Sequence, residues 1–229
     1  MQAADIMTKV VISVAADTTV PDIAKLMLDR GISSVTVVDR TGRLIGLITE
    51  GDLLRRAEMG TERRPSRWLE VVSTNAELAA DYVKSHARKA ADIMTRDVIT
   101  ASAETPVRDI VDLMESRRIK RVPIVHDGAV IGIVSRANLV QALLVGARFE
   151  ARDLKGDRAM REALLAELKG QAWVTATGLN VIVSDGMIHL WGTVQSPEQR
   201  SALRIAAENV PGARGVEDHL VSVPALPAV

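Results

Sequence analysis

Two stretches of this chain carry residue types suited to holding a small polar ligand. Gly46-Leu47-Ile48-Thr49-Glu50-Gly51-Asp52 follows a short apolar run and precedes Leu53 and Leu54. Gly132-Ile133-Val134-Ser135-Arg136-Ala137-Asn138 echoes it, again followed by a leucine, Leu139. Both patterns predict the end of a strand feeding a helix, with a hydroxyl residue at the N-cap and an acid or amide three residues on. A carboxylate at that place can accept a hydrogen bond from each of the two neighbouring hydroxyls of a ribose. The helix start adds unpaired N–H groups that favour a phosphate. Taken singly, each stretch is also a plain capping pattern, and only the repetition argues for more.

Elements must position these corners, and an internal repeat supplies them. Ala4-Asp5-Ile6-Met7-Thr8 recurs 87 residues later as Ala91-Asp92-Ile93-Met94-Thr95. Thr18 with Asp22-Ile23 recurs at the same offset as Thr105 with Asp109-Ile110, and Val35 matches Val122. One deletion in the turn then brings Gly46 onto Gly132 and Thr49 onto Ser135. Each copy has the same order. Val20, Ile23, Ala24, Met27 and Leu28 fall at helical spacing, as do Val107, Ile110, Val111 and Met114. Strands are expected at 35–38 and 44–48, and again at 122–125 and 130–134. Asp127-Gly128 between the second pair is a hairpin turn signal. The unit is strand, helix, strand, strand, helix.

Composition limits the chemistry. The chain has 229 residues, 47% hydrophobic and 25% charged, enough for one or two domains with real cores. Its 29 basic and 29 acidic residues balance, so no global field favours nucleic acid or an anionic membrane. The absence of cysteine excludes disulfides, thiol catalysis and thiolate metal sites. Aromatics at 2% argue against base-stacking platforms. The opening Met1-Gln2-Ala3-Ala4-Asp5 lacks the pattern of a secretory signal, and no apolar run has the length to cross a bilayer, so a cytoplasmic location is expected.

Both copies resemble CBS (cystathionine-β-synthase-type) repeats, and together they resemble a Bateman module over roughly residues 1 to 145. The shared marks are the Asp-Ile-Met-Thr openings, Val122-Pro123-Ile124-Val125, and the two Gly-apolar-apolar-Thr/Ser stretches. The resemblance implies an adenosine ligand, AMP, ADP or ATP, and a homodimer built on the repeats. It implies that the ribose acid of one repeat works with the opening and second strands of the other. Carried over, Thr49 and Asp52 would act with Asp97, Ile99, Ile119, Lys120 and Arg121, the isoleucines covering adenine and the cations meeting phosphate. A second, weaker cleft would use Ser135 and Asn138 with Val10, Ile12, Ile32 and Ser33. There Asn138 replaces the acid and Ala137 a common hydroxyl. An amide lacks the charge-assisted strength of a carboxylate, so the Asp52 cleft is expected to be the better site.

Between the repeats, residues 55–90 exceed an ordinary connection and are expected to form a helical linker. Arg55, Arg56, Arg63, Arg64 and Arg67 outnumber Glu58 and Glu62 there, Trp68 is expected to anchor it, and Leu78, Tyr82 and Val83 to form an apolar side.

The last third changes character. A helix is expected from about Asp157, carrying Met160, Leu164, Leu165 and Leu168. A strand follows at 180–184, then a turn at Asp185-Gly186, then alternation through Ile188, Leu190, Gly192 and Val194. Ser196-Pro197-Glu198-Gln199 is a strong helix start. Leu203, Ala206, Ala207 and Val210 form its inner stripe, and a last strand is expected at 216–223. The order αββαβ, with Leu190-Trp191-Gly192-Thr193-Val194 and Pro211-Gly212-Ala213-Arg214-Gly215-Val216, resembles a BON domain. That resemblance implies binding, to a protein partner or a phospholipid surface. From Glu150 to Val229 eight basic residues face ten acidic ones, which offers anionic lipid little attraction.

The expected fold class is α/β (α+β): tandem βαββα repeats with a C-terminal αββαβ domain. The expected divisions are repeat 1 at 1–54, the linker at 55–90, repeat 2 at 91–147, a short linker at 148–156 and the BON-like domain at 157–224. His86, His126, His189 and His219 are scattered without the spacing of a helical metal site, and no phosphate loop or nucleophile elbow occurs. No catalytic residue and no catalytic cofactor is expected. The expected function is a non-enzymatic regulator that binds an adenine nucleotide and signals through the BON-like domain. The rival expectations are a dimerisation adaptor without ligand and a membrane-associating protein.

Overall fold

A computed structural model describes residues 1–54, 60–61, 82–145, 154–174 and 178–223. Arg55, Arg56, Arg63, Arg64 and Arg67, with Trp68 and Leu78, lie outside the described residues. The mixed α/β class holds. The chain divides into two compact units.

One unit spans Val11–Val98 with Gly128–Val130. It contains β1 (Ser13–Ala15), α2 (Val20–Arg30), β2 (Ser34–Val38), β3 (Leu44–Thr49), α3 (Glu50–Leu53) and α4 (Ala90–Ile93). The sheet order is β1-β2-β3, the first pair parallel and the second antiparallel. Thr19 caps α2 by accepting Asp22 N–H at 3.3 Å, and Gly31 ends it with φ 59°. Asp39 Oδ1 ties the β2–β3 turn by accepting N–H bonds from Thr41 at 2.8 Å and Arg43 at 3.0 Å. The core gathers Val14, Ile23, Met27, Val35, Val37 and Ile48 with Ala90, Ile93 and Met94. Leu28, read from spacing as an inward position, stands 81% exposed; the apolar stripe of α2 is narrower than expected and rests on Val20, Ile23 and Met27. Tyr82 and Val83 of the insert are exposed as well, and Tyr82 stacks on His86 rather than entering a core.

The other unit spans Met1–Val10, Ile99–Asp127 and Ile131–Val229. It begins with α1 (Ala3–Ile6) and continues with α5 (Val107–Ser116), β4 (Arg121–His126), β5 (Ala129–Ser135, shared with the first unit at its start) and α6 (Arg136–Val145). Asp127 and Gly128 take φ 50° and 83°, the paired positive values of a tight hairpin turn. The opening strand expected for this repeat shrinks to a single parallel bridge, Ala101 to Ile124.

The opening segments are exchanged. Ala3, Ile6 and Met7 are buried with Ile110, Met114, Val122, Ile124 and Val134 of the second repeat. Ala90, Ile93 and Met94 are buried in the core of the first. The backbone bonds match copy for copy. Ala3 N–H donates to Thr105 C=O and Ala90 N–H to Thr18 C=O, both at 2.9 Å. Glycines make room for the methionines. A Cβ added at Gly46 would lie 2.7 Å from Met94 Cγ, and one at Gly132 2.9 Å from Met7 Cγ.

The same unit carries the C-terminal domain: α7 (Leu154–Leu168), β6 (Asn180–Ser184), β7 (Met187–Val194), α8 (Pro197–Glu208) and β8 (Gly215–Ser222). This is the expected αββαβ order, with β6 antiparallel and β8 parallel to the central β7. Leu164 and Leu168 of α7 and Leu203, Ala206 and Ala207 of α8 pack on one sheet face, against Val181, Ile188, Leu190 and Leu220. Ser196 caps α8 as its sequence predicts. Asp157, by contrast, does not open its helix, which starts at Leu154. Its carboxylate accepts the N–H groups of Asp185 at 2.9 Å and Gly186 at 2.8 Å and so pins the β6–β7 turn.

Charged groups fasten this domain to the α1 segment. Arg158 donates to Asp5 from Nε at 2.6 Å and from Nη2 at 3.0 Å, and to Gln2 Oε1 at 2.9 Å. Burial works to raise the Asp5 pKa, but the Arg158 hydrogen bond and charge and the Gln2 N–H together hold it below 3.8. Arg161 is 3% exposed. It donates at 2.7 Å to Val181 C=O and at 2.7 Å to Met7 C=O, joining β6 to the end of α1. Burial pulls its guanidinium pKa down to about 10, so it stays charged at neutral pH.

Because Met7 and Met94 are buried on all sides, neither can retreat from a new methyl group. Gly46→Ala and Gly132→Ala should each destabilise by about 1–3 kcal/mol in urea unfolding, the usual cost of overpacking a filled core.

Candidate functional site

Each exchanged segment leads straight into one of the two corners singled out by residue type. Thr95 exchanges two backbone bonds with Leu47, at 3.0 and 2.9 Å, and Thr8 does the same with Ile133, both at 3.0 Å. The loop after each long helix reaches the same places: Glu50 N–H donates to Ser33 C=O and Arg136 N–H to Lys120 C=O, both at 3.2 Å. The two repeats thus build equivalent corners from strand end, helix start, a threonine and a helix-exit loop.

The corners differ in how their polar groups are used. At the first, Asp52 Oδ2 accepts Thr49 N–H at 2.8 Å and the Thr49 hydroxyl at 3.0 Å. Asp52 is half-buried, and Oδ1 accepts no hydrogen bond from any described residue. One carboxylate oxygen therefore closes the corner while the other has no hydrogen-bond partner among the described residues. At the second, Asn138 Oδ1 accepts Ser135 N–H at 2.8 Å and the Ser135 hydroxyl at 2.7 Å. Its Nδ2 donates to Thr8 Oγ1 at 3.1 Å, and the residue is 3% exposed. An amide carries donors that a buried site must satisfy; a carboxylate carries none, so Asp52 cannot make the bond that draws Asn138 inward.

The remaining sequence-predicted residues divide between the units. Asp97, Ile12, Ile32 and Ser33 belong with Thr49 and Asp52 in one. Val10, Ile99, Ile119, Lys120 and Arg121 belong with Ser135 and Asn138 in the other. Asp97 and Lys120 are exposed, Ile99 and Ile119 half-buried, and Arg121 is half-buried and already engaged. Just before Ile119, Arg118 holds φ 53° where the first repeat has Gly31 at φ 59°. A side chain in that left-handed region costs roughly 1 kcal/mol.

A cluster escaped the sequence because its members are far apart in the chain. The parallel pairing of β7 and β8 sets His189 beside Glu217 and Trp191 beside His219. His189 Nδ1 lies 3.5 Å from His219 Nε2, and Trp191 stacks on the His219 ring with centroids 3.9 Å apart. Burial pushes the His189 pKa below 6.5, against the Glu217 carboxylate, which pulls it up. Local spacing cannot report a pair that strand register creates.

The CBS domain family matches residues 3–58 and 90–145, and the BON domain family matches residues 156–224. An uncharacterized protein of Methanocaldococcus jannaschii is 32% identical over 151 residues, covering 61% of this chain and 89% of that protein. The inosine-5'-monophosphate dehydrogenase of Nitrosopumilus maritimus is 27% identical over 128 residues, 56% of this chain but only 21% of the dehydrogenase. Among solved structures, CBSX2 in complex with AMP superposes with a TM-score of 0.56 at 27% identity, covering 64% of this chain and 99% of that one. Among the described residues no helix is long and apolar enough to cross a membrane.

The two corners contribute unequally to stability. Asn138→Ala strands the half-buried Ser135 hydroxyl and its N–H and should cost about 1–3 kcal/mol. Asp52→Ala loses part of a half-exposed cap and should cost about 1 kcal/mol or less. Urea unfolding of the two variants measures the difference. The two repeats, their exchanged openings and the αββαβ unit behind them place this chain among the CBS-domain proteins, with a CBS pair followed by a BON domain.

Proposed function

We propose that the chain is a non-enzymatic regulator whose CBS pair binds an adenine nucleotide, AMP, ADP or ATP, and signals through the BON domain. The observation that carries this reading is the half-buried Asp52 carboxylate, fixed at Thr49 through one oxygen and open at the other. Two cis-related hydroxyls of a ribose are the natural partners of such an oxygen. Similarity to CBSX2, which was crystallised in complex with AMP, supports the ligand class. By the resemblance of the repeats, Ile99 and Ile119 cover adenine, and Lys120, with Arg121 next to it, meets phosphate, with Asp97 nearby. The corner of Ser135 and Asn138, with Val10, Ile12, Ile32 and Ser33, is the weaker site, because its amide is already committed to Thr8.

From the weaker corner, that of Ser135 and Asn138, a route outward runs through the α1 segment. The loop that ends in Thr8 is held at Met7 by Arg161 and at Asp5 by Arg158, both on the first BON helix. A ligand that favours one arrangement of that segment changes what the BON domain presents; one that binds all arrangements equally changes nothing. Val140, Leu143 and Leu144 stand exposed on α6, which supports pairing with a second copy through the repeats. The protein is taken to act in the cytoplasm.

Calorimetric titration of the full chain with AMP, ADP and ATP tests the proposal. At least one should bind, and Asp52→Ala should weaken it roughly tenfold or more, as loss of a charge-assisted hydrogen bond does. Asn138→Ala should weaken it less. No heat with any of the three at millimolar concentration rejects nucleotide sensing, and the reverse order of the variants rejects the ranking of the corners.

A further inference from the structure

The BON sheet has two faces. One is filled by α7 and α8 over Ile188, Leu190 and Leu220. The alternation of strands puts His189 and Trp191 of β7, and Glu217 and His219 of β8, on the other. Three potential ligand atoms converge there. His189 Nδ1 and His219 Nε2 are 3.5 Å apart, and Glu217 Oε2 is 3.3 Å from the first and 3.5 Å from the second. We propose that His189, Glu217 and His219 form a binding site for a divalent transition-metal ion, with zinc the best match.

The side lengths of the triangle choose the ion. Zinc bonds imidazole nitrogen and carboxylate oxygen at about 2.0–2.2 Å in tetrahedral geometry, which sets neighbouring ligand atoms about 3.3–3.5 Å apart. An octahedral ion with bonds of about 2.1 Å would draw them to about 3.0 Å. The observed sides fit the tetrahedral case without movement of the strands. Two imidazoles and one carboxylate also form the donor set of open zinc sites, which keep a fourth position for water or an external ligand. Hydrogen bonding between β7 and β8 fixes the spacing of the three residues before any ion arrives, and the Trp191 ring holds the plane of His219. His189 is buried, His219 half-buried and Glu217 exposed, so an ion enters from the Glu217 side and settles against the histidines. The site belongs to the BON domain alone and stands independently of nucleotide binding.

The test uses the full chain freed of metal by chelation. Titrated with Zn²⁺ in a calorimeter, it should take up one ion per chain. Co²⁺ at the same site should give the intense visible bands of tetrahedral coordination. Glu217→Gln, at an exposed position that folding does not need, and His219→Gln should each weaken Zn²⁺ by at least the roughly 10–100-fold that even an outer partner of a metal site contributes. His126→Gln, at the exposed end of β4, should leave affinity unchanged. No uptake at millimolar Zn²⁺, uptake indifferent to Glu217→Gln, or a weak octahedral Co²⁺ spectrum would each overturn the proposal.

Discussion

A methionine lying against a strand that has no side chain is the contact on which the CBS half of this molecule depends. Met94 fits against Gly46 and Met7 against Gly132, each so close that a methyl group on the glycine would collide with the thioether chain. Glycine is used at these positions for its absent side chain, since neither shows the positive φ that other glycines of the chain adopt. The contact seats the Asp-Ile-Met-Thr segment, and the next residue then has only one register in which to bond the strand. That bond, Thr95 with Leu47 or Thr8 with Ile133, is what brings a polar residue to the corner beside the helix start. Position at the corner follows from packing one residue away.

Duplication gave two corners, and a single change of chemistry separates them. With asparagine the second corner can satisfy itself: every polar group of Asn138 finds a partner within the chain, and the side chain is drawn out of solvent. The aspartate of the first has no donor to offer a threonine hydroxyl, and its Oδ1 accepts no hydrogen bond from any described residue. The oxygen left over at Asp52 follows from that difference, and it is the atom we propose for ribose binding.

Much of this was legible in the residues. The 87-residue offset, the Asp-Gly turns at 127–128 and 185–186 and the Ser196-Pro197 helix start all report local rules, and local rules hold here. What the residues did not disclose needs a third dimension. Helical spacing cannot tell which repeat will bury Ala3, Ile6 and Met7, because both cores are apolar and of one pattern. It placed Leu28 inward, although the sheet offers α2 only a narrow contact. Asp157 has the composition of a cap, yet a turn 28 residues away claims its carboxylate. Arg161 looks like any surface cation until β6 and α1 close over it. The histidine pair depends on the register of β7 and β8, which no spacing encodes.

The proposed contact between a ribose and the open oxygen of Asp52 is tested most directly by changing both partners. Affinities of AMP and 2′,3′-dideoxy-AMP would be measured for the unaltered chain and for Asp52→Ala. Removing the hydroxyls should cost the unaltered chain about tenfold or more and the variant far less, leaving a coupling of about 1 kcal/mol or above. Equal losses in both proteins, or none in the unaltered chain, would contradict a ribose held at this carboxylate.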